Sequence, residues 1–372
     1  MLSLKSASLI LASSLNSRAK MLRAEWAPYN LDFRFTAVTS RERMKRKSTY
    51  FVRVYDTSCP EVKGLGECAL FRGLSADDVP DYEAVLTAAC RDIERFPESV
   101  PVAFSSIKFG LETAMAELRS GGVMKPYPGA WADGKSEIVI NGLVWMGTRD
   151  EMHARIREKL EAGFRCVKLK IGGIDFDREL ELLRGIRESF DSKSLEIRLD
   201  ANGAFTPSNA MERLEALARF DIHSIEQPIK QRQWKEMAYI CRQSPIPVAL
   251  DEELIGITDK DEKERMLDAI APQYVILKPA LCGGFSGADE WIELARRRNI
   301  GWWATSALES NIGLNAIAQW VSQKNPVMPQ GLGTGALYHN NIPSPLRQER
   351  DVLLSDPSGK WDLTMLDTLE WN

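Results

Sequence analysis

The stretch Val167-Lys168-Leu169-Lys170-Ile171-Gly172 sets two lysines in strict alternation with Val, Leu and Ile. Successive side chains of a strand leave opposite faces, so both ammonium groups point one way and the apolar residues the other. The apolar surroundings read as a central parallel strand, where an ammonium without a partner is costly. An exposed edge strand with solvated lysines is the plain alternative for any single Lys-x-Lys, and the central, parallel look of this strand weighs against it.

Outward from this strand the chain alternates short apolar runs with helical ones, the runs falling at residues 138–141, 166–171, 196–201, 224–227, 248–251, 274–278, 302–305 and 331–333. The helices between them include Thr148 to Leu160, opened by the capping box that begins at Thr148 and reaches Glu151, and Asp177 to Phe190, with Leu183, Ile186 and Phe190 on one face. Eight strands alternating with seven evident helices predict an α/β fold, a (β/α)8-type, TIM-like barrel over residues 131–340 with its last helix reduced.

Upstream the pattern differs. Leu31, Phe33 and Phe35 alternate with polar residues, a basic turn runs from Arg41 to Lys47, and β-rich runs follow at Phe51 to Tyr55 and Leu65 to Leu70. Asp81 to Phe96 and Ser105 to Arg119 are helical by apolar spacing, with Gly121-Gly122 stopping the second. Residues 21–130 are therefore expected to form an N-terminal α+β capping domain, joined through the Pro/Gly-bearing linker Lys125 to Gly134, and the tail 341–372 to return to it. Residues 1–20, serine-rich and without a clear small-residue cleavage site, read as a disordered extension or the product of an upstream start codon and not as a targeting peptide.

With 372 residues, 44% apolar and 27% charged, the chain has enough apolar residues for a sizeable core, and a net charge of -4 argues against a nucleic-acid surface; Arg41 to Lys47 is read as a solvated hairpin turn. No apolar run approaches the roughly 18 residues that a membrane span needs. The six cysteines are scattered, several of them inside apolar segments, which suits a reducing, cytoplasmic setting.

The C-terminal ends of barrel strands converge on one face. At those ends stand Asp200, Glu226 and Asp251, on successive strands about one βα unit apart, followed by Lys278. Taken singly, each carboxylate is ordinarily a helix cap or a surface ion-pair partner. Together in an apolar mouth they would repel one another unless a cation bound them, and oxygen-only ligation with room for substrate suits Mg2+, with Mn2+ as the substitute. A lysine buried beside such a metal and a second ammonium is expected to have a depressed pKa, as a general base near neutral pH requires. The constellation predicts proton abstraction α to the carboxylate of a small-molecule substrate.

Lys168-Leu169-Lys170, Asp200-Ala201-Asn202, Glu226-Gln227-Pro228, Asp251-Glu252 and Lys278-Pro279, in this order and on these strands, resemble the enolase superfamily, and within it the muconate-lactonizing subgroup. The resemblance covers nearly the whole chain from Met21 onward and is strongest to the o-succinylbenzoate synthase branch. It implies Mg2+-dependent syn dehydration of 2-succinyl-6-hydroxy-2,4-cyclohexadiene-1-carboxylate in menaquinone biosynthesis. It also implies Lys170 as the base that returns its proton to the departing hydroxide, Lys168 as its tuner, and Lys278 stabilising the enediolate from the opposite face. Metal ligands would be Asp200, Glu226 and Asp251; substrate contacts would come from Asn202, Ser306, Gly333 and Thr334. By the same resemblance Phe71-Arg72-Gly73-Leu74-Ser75 is placed as a lid, while Glu309 is left open between a functional acid and a structural ion-pair partner.

Other chemistries of the subgroup keep the same lysines and ligands, so cycloisomerisation and N-succinylamino acid racemisation stay open. Dipeptide epimerases carry Asp-x-Asp on the eighth strand, where this chain has Gly331-Leu332-Gly333. From another class, a catalytically silent binding barrel would not need so many costly charges in one mouth.

Overall fold

The computed structural model describes residues 21–38, 43–145 and 148–372. The extension expected at 1–20, and Arg41 and Glu42 of the basic turn, lie outside the described residues.

Strands β1 (Leu22–Val38), β2 (Arg43–Asp56) and β3 (Lys63–Cys68) form an antiparallel sheet, followed by helices α1 (Tyr82–Arg91) and α2 (Ser105–Arg119). Trp26, Val52, Val54, Leu86, Ile107 and Leu111 share one buried cluster between sheet and helices. Helix α2 approaches β3 so closely that a Cβ on Gly64 would lie 1.9 Å from the Ala114 carbonyl oxygen and one on Gly66 2.0 Å from that of Gly110. Only glycine permits this contact.

The remaining elements are β4 (Ile138–Val139), β5 (Gly142–Val144), α3 (Arg149–Glu161), β6 (Cys166–Lys170), α4 (Phe176–Ser189), β7 (Glu196–Asp200), α5 (Ala210–Ala218), β8 (Ser224–Glu226), α6 (Trp234–Gln243), β9 (Val248–Leu250), α7 (Lys260–Ile270), β10 (Tyr274–Leu277), α8 (Gly284–Arg297), β11 (Gly301–Ala304), α9 (Asn311–Ser322), β12 (Leu346–Glu349) and β13 (Val352–Ser355). Strands β5 to β11 lie parallel in sequence order in one sheet. Gln330 bridges Ile140 on one side and Gly331 bridges Thr305 on the other, which closes the sheet into the (β/α)8-type barrel that the alternation predicts.

Two strand readings change. The run 138–141 divides: Ile138 and Val139 pair antiparallel with β13, and the barrel strand proper is Gly142–Val144. The eighth run shrinks from 331–333 to bridges at Gln330 and Gly331. A Cβ on Gly331 would fall 2.2 Å from Thr305 Oγ1, so the backbones meet only because that side chain is missing.

Strand parity sorts β6. Val167 and Leu169 are fully buried in the layer between barrel and helices, while Cys166, Lys168 and Lys170 take the other face. After the β12–β13 hairpin the chain returns to β1, where Asn372 and Trp26 exchange backbone hydrogen bonds of 2.8 and 3.2 Å and Arg53 stacks 4.1 Å over Trp371. The basic segment is not wholly a solvated turn: Lys47 lies in β2 and is only 5% exposed.

Glu117 of α2 is buried and accepts hydrogen bonds from the Met124 backbone N–H and from Ser120. Burial, only partly offset by these donors, pushes its carboxyl up to about 7. An unfolded Glu ionises near 4.5, so from that pH up to about 7 the unfolded state releases a proton that the folded state keeps, and this residue's contribution to stability falls. Urea titrations of the wild type and Glu117→Gln across pH 4 to 8 should show the difference moving against the wild type by at most about 3 kcal/mol over that window and staying flat above it.

Candidate active site

Register carries the charges to one level. Lys170 of β6 pairs with Asp200 of β7, and Asp200 with Glu226 of β8, so the three form a row across adjacent strands. Lys170 Nζ lies 2.8 Å from Asp200 Oδ2 and 2.7 Å from Asn202 Oδ1. Lys168, one layer deeper, reaches Glu226 Oε2 at 2.6 Å and Asp200 Oδ2 at 3.0 Å. Lys278, just after β10, pairs with Asp251, just after β9. Asn202, with φ of 44°, donates to Glu252 Oε1 at 3.0 Å.

Behind the row, Gln227 is fully buried at a φ of 40°. Its Oε1 accepts from the backbone N–H of Asp251 at 3.3 Å and of Glu253 at 3.2 Å, while its Nε2 donates to the Ile229 carbonyl at 3.0 Å. The turn that follows β8 thus fixes the turn that carries Asp251.

Burial opposes the charge on Lys168, but Asp200 and Glu226 outweigh it, and its pKa stands above that of an ordinary lysine. Lys278 is raised in the same way, chiefly by Asp251 and Glu226 against burial. Each of these two lysines is bonded directly to a carboxylate, and that pairing is what raises it. Burial also opposes ionisation of Asp200, yet Lys168 and Lys170 hold it far below the usual carboxylate range. Glu226 goes the other way, pushed well up by burial and then by Asp200. Glu226 has one ammonium beside it, Lys168 at 2.6 Å, which it shares with Asp200 at 3.0 Å, whereas Asp200 has Lys170 as well.

A cavity of about 290 Å3 opens above these groups. Lys168, Lys170, Lys278, Asp200, Asn202, Ser306, Gly333 and Thr334 line it; Glu226 and Asp251 do not, lying behind the ammonium groups bonded to them. The Thr334 hydroxyl is buried without a hydrogen-bond partner among the described residues, whereas the Ser306 hydroxyl is engaged with Glu309. Glu309 itself is fully buried and does not reach the cavity. Phe71 to Leu74 of the N-terminal part form one wall. The rest of the lining includes Glu252 and the apolar Leu143, Trp145, Leu281 and Leu308, which the sequence does not single out as site residues, since apolar residues of a barrel carry no signal separating wall from core. The adjacency of Glu252 to Asp251 was the one clue available.

Among the described residues no three His, Cys, Asp or Glu side chains converge as a ready-made metal cluster, since lysines stand among the carboxylates. The donor set nevertheless fits a hard divalent cation. Asp200, Glu226 and Asp251 offer only oxygen, and Glu226 Oε1 is buried with no hydrogen-bond partner among the described residues. His223 stacks on Tyr274 at 5.2 Å and His153 lines a groove of α3 and α4, both outside the cavity. All six cysteines are free.

Residues 151–353 match the family described as enolase C-terminal domain-like, and the chain belongs to the enolase superfamily as one of its enzymes. More particularly, it is 46% identical over 358 residues to the o-succinylbenzoate synthase of Desulfotalea psychrophila, the alignment covering 87% of this chain and 96% of that protein. The crystal structure of MenC from Desulfotalea psychrophila superposes with a TM-score of 0.77 at 44% identity, covering 90% of this chain and 99% of that one. A dipeptide epimerase from Cytophaga hutchinsonii, solved with Mg and the dipeptide D-Ala-L-Val, shares the fold at TM-score 0.79 and 20% identity, over 95% of this chain and 99% of its own.

Gln227→Leu would leave the backbone N–H groups of Asp251 and Glu253 without their side-chain acceptor in a buried turn. Urea denaturation should show a loss of about 2 kcal/mol or more, and an unchanged midpoint would remove Gln227 from this role.

Proposed function

We propose that the protein is a lyase, an o-succinylbenzoate synthase, converting 2-succinyl-6-hydroxy-2,4-cyclohexadiene-1-carboxylate to o-succinylbenzoate and water in a cytoplasmic menaquinone pathway. The observation that carries this reading is the convergence of Lys168, Lys170 and Lys278 on one largely apolar cavity in a chain 46% identical to an o-succinylbenzoate synthase. No helix of the described residues is long and apolar enough to cross a membrane.

Lys170 is the proton carrier. As a free amine it takes the proton from C1, next to the ring carboxylate; the C–H electron pair forms the new ring double bond while the bond from C6 to the hydroxyl breaks. The Lys170 ammonium returns its proton to the departing hydroxide, so one residue serves both steps on one face and the ring leaves aromatic. Lys168 and Lys278, held charged by their carboxylate partners, keep positive charge on the side of the Lys170 base and facing it, where negative charge builds on the substrate. Asp200, Glu226 and Asp251 would hold Mg2+, which supplies Lewis-acid stabilisation of the substrate carboxylate when bound. Asn202 orients Lys170 through its 2.7 Å contact, and Thr334 offers an uncommitted hydroxyl to the substrate. The wall of Phe71, Leu74, Trp145 and Leu308 shields the ring from water.

Lys170 and Lys278 in one cavity also suit a racemase, which needs a proton carrier on each face, and this keeps N-succinylamino acid racemisation as the second reading. The deciding experiment is a Mg2+-dependent dehydration assay run beside racemisation of an N-succinylamino acid. Dehydration is expected to dominate; robust racemisation without dehydration would overturn the reading.

In the same assay Lys170→Ala should lower kcat by about 1000-fold, the scale of a lost acid–base group, while calorimetric Mg2+ affinity stays at the wild-type value. Chelation should abolish turnover, with Mg2+ restoring it and Mn2+ substituting. Asp251→Asn should weaken Mg2+ binding at least about tenfold by calorimetry.

A further inference from the structure

We propose that Arg72 is a specificity-determining residue whose guanidinium binds the second carboxylate of a dicarboxylate substrate, the one at the free end of the succinyl chain. The inference rests on the functional reading above and deepens it.

The barrel sets two sides of the cavity apart. In the ring of β5 to β11 closed by Gln330 and Gly331, the strands that lead to Asp200, Glu226 and Asp251 stand third, fourth and fifth, so the seventh, the eighth and the first face them across the mouth. Phe71 packs against a cluster that includes Trp145 after β5, Leu308 after β11 and Tyr338 after the eighth run. Its neighbour Arg72, which lines the cavity, thus enters from the side opposite the three carboxylates.

Two anchors fix the guanidinium. Nη1 donates to Asp78 Oδ1 at 2.7 Å, while the other oxygen of that carboxylate accepts the Gly73 N–H at 2.7 Å, so side chain and backbone of one turn are tied to one group. Nη2 donates to the Tyr50 hydroxyl at 3.1 Å, which in turn donates to Glu83 at 2.9 Å. Ser75 closes the turn, its N–H donating to the Phe71 carbonyl at 2.9 Å and its hydroxyl accepting the Phe71 N–H at 2.9 Å. Among the described residues these contacts occupy two of the five guanidinium N–H groups, and the others are left for a ligand. With a side chain 51% exposed, Arg72 could be an ordinary surface ion pair, but such a pair needs neither a second anchor nor a place in the cavity wall. Held at two points before a ligand arrives, it loses little further freedom on binding.

The substrate supplies the complement. Its ring carboxylate belongs with the metal ligands, and the succinyl chain carries a second carboxylate to another part of the cavity. That group accepts hydrogen bonds and donates none, and in a largely apolar enclosure it is costly without a cation. Lys168, Lys170 and Lys278 are already bonded to Glu226, Asp200 and Asp251. Arg72 is the remaining cation of the lining among the described residues, and its planar fork fits a carboxylate.

The test is calorimetric binding of two ligands to the Mg2+-loaded enzyme: o-succinylbenzoate, and 2-butyrylbenzoate, in which a methyl group replaces the terminal carboxylate. Wild type should bind the first at least about tenfold more tightly. Arg72→Met should weaken o-succinylbenzoate about 30-fold, the scale of lost hydrogen bonds between charged groups, and leave 2-butyrylbenzoate within about threefold. In steady-state dehydration KM should rise by a similar factor with kcat within about threefold of wild type. Arg72→Lys, which keeps the charge and loses the fork, should fall between the two. Equal weakening of both ligands would reduce Arg72 to a piece of wall, and an unchanged affinity for o-succinylbenzoate would remove it from the site; either result overturns the proposal. Should Arg72→Met not fold, Arg72→Lys carries the comparison, and a loss shared by both ligands or absent from both is equally fatal. If the wild type fails to dehydrate the substrate, the functional reading falls separately, and Arg72 is judged from the ligand pair alone, where equal binding of the two by wild type would refute the role.

Discussion

Asp200 bonded at once to Lys168 and Lys170 is the interaction on which the mouth of this barrel depends. A carboxylate at that depth is tolerable only beside positive charge, and an ammonium there only beside negative charge. Parallel register puts Lys170, Asp200 and Glu226 in one row and the cations Lys168 and Arg198 in the row below, from which Lys168 reaches up to Asp200 and Glu226 while Arg198 pairs with Glu196. Arg198 is itself 1% exposed, stacked 4.3 Å from the Trp303 ring and bonded to Glu196 and the Pro329 carbonyl, so the barrel interior is filled with paired charge beneath the reactive level.

The N-terminal part acts on this site by more than covering it. Phe71 to Leu74 supply a wall, while Glu67 and Glu112 accept backbone N–H groups at the starts of α9 and α8 respectively. Those helices follow the strands that lead to Ser306 and Lys278. A negative charge at a helix start offsets the positive end of its dipole, so each contact ties the two parts of the molecule together at elements that also carry site residues.

Much of this was readable in one dimension because it follows from period and position. Alternation in Val167 to Ile171 exposed both lysines, and the recurrence of a charged residue at the end of each apolar run located Asp200, Glu226, Asp251 and Lys278 without any knowledge of contacts. Readings that failed depended on distance. The eighth run pairs only at Gln330 and Gly331, and Gly331 meets Thr305 across a gap that no side chain fits. Lys47, part of a basic run, proved buried on β2. At Lys168 and Lys278 carboxylates at hydrogen-bond distance outweigh burial, a balance that only the contacts reveal.

The sequence by itself determined the class of architecture and the chemical types at the barrel mouth, since hydrophobic period selects strand or helix and strand ends of a parallel barrel must converge. Only the tertiary structure decided which ammonium faces which carboxylate, how the Phe71 to Leu74 wall and the Ser306 to Glu309 turn bound the cavity, and which buried charges are satisfied. Those outcomes turn on separations of a few ångströms between residues far apart in the chain, such as Glu67 and Ser310, and residue order alone does not encode that geometry in legible form.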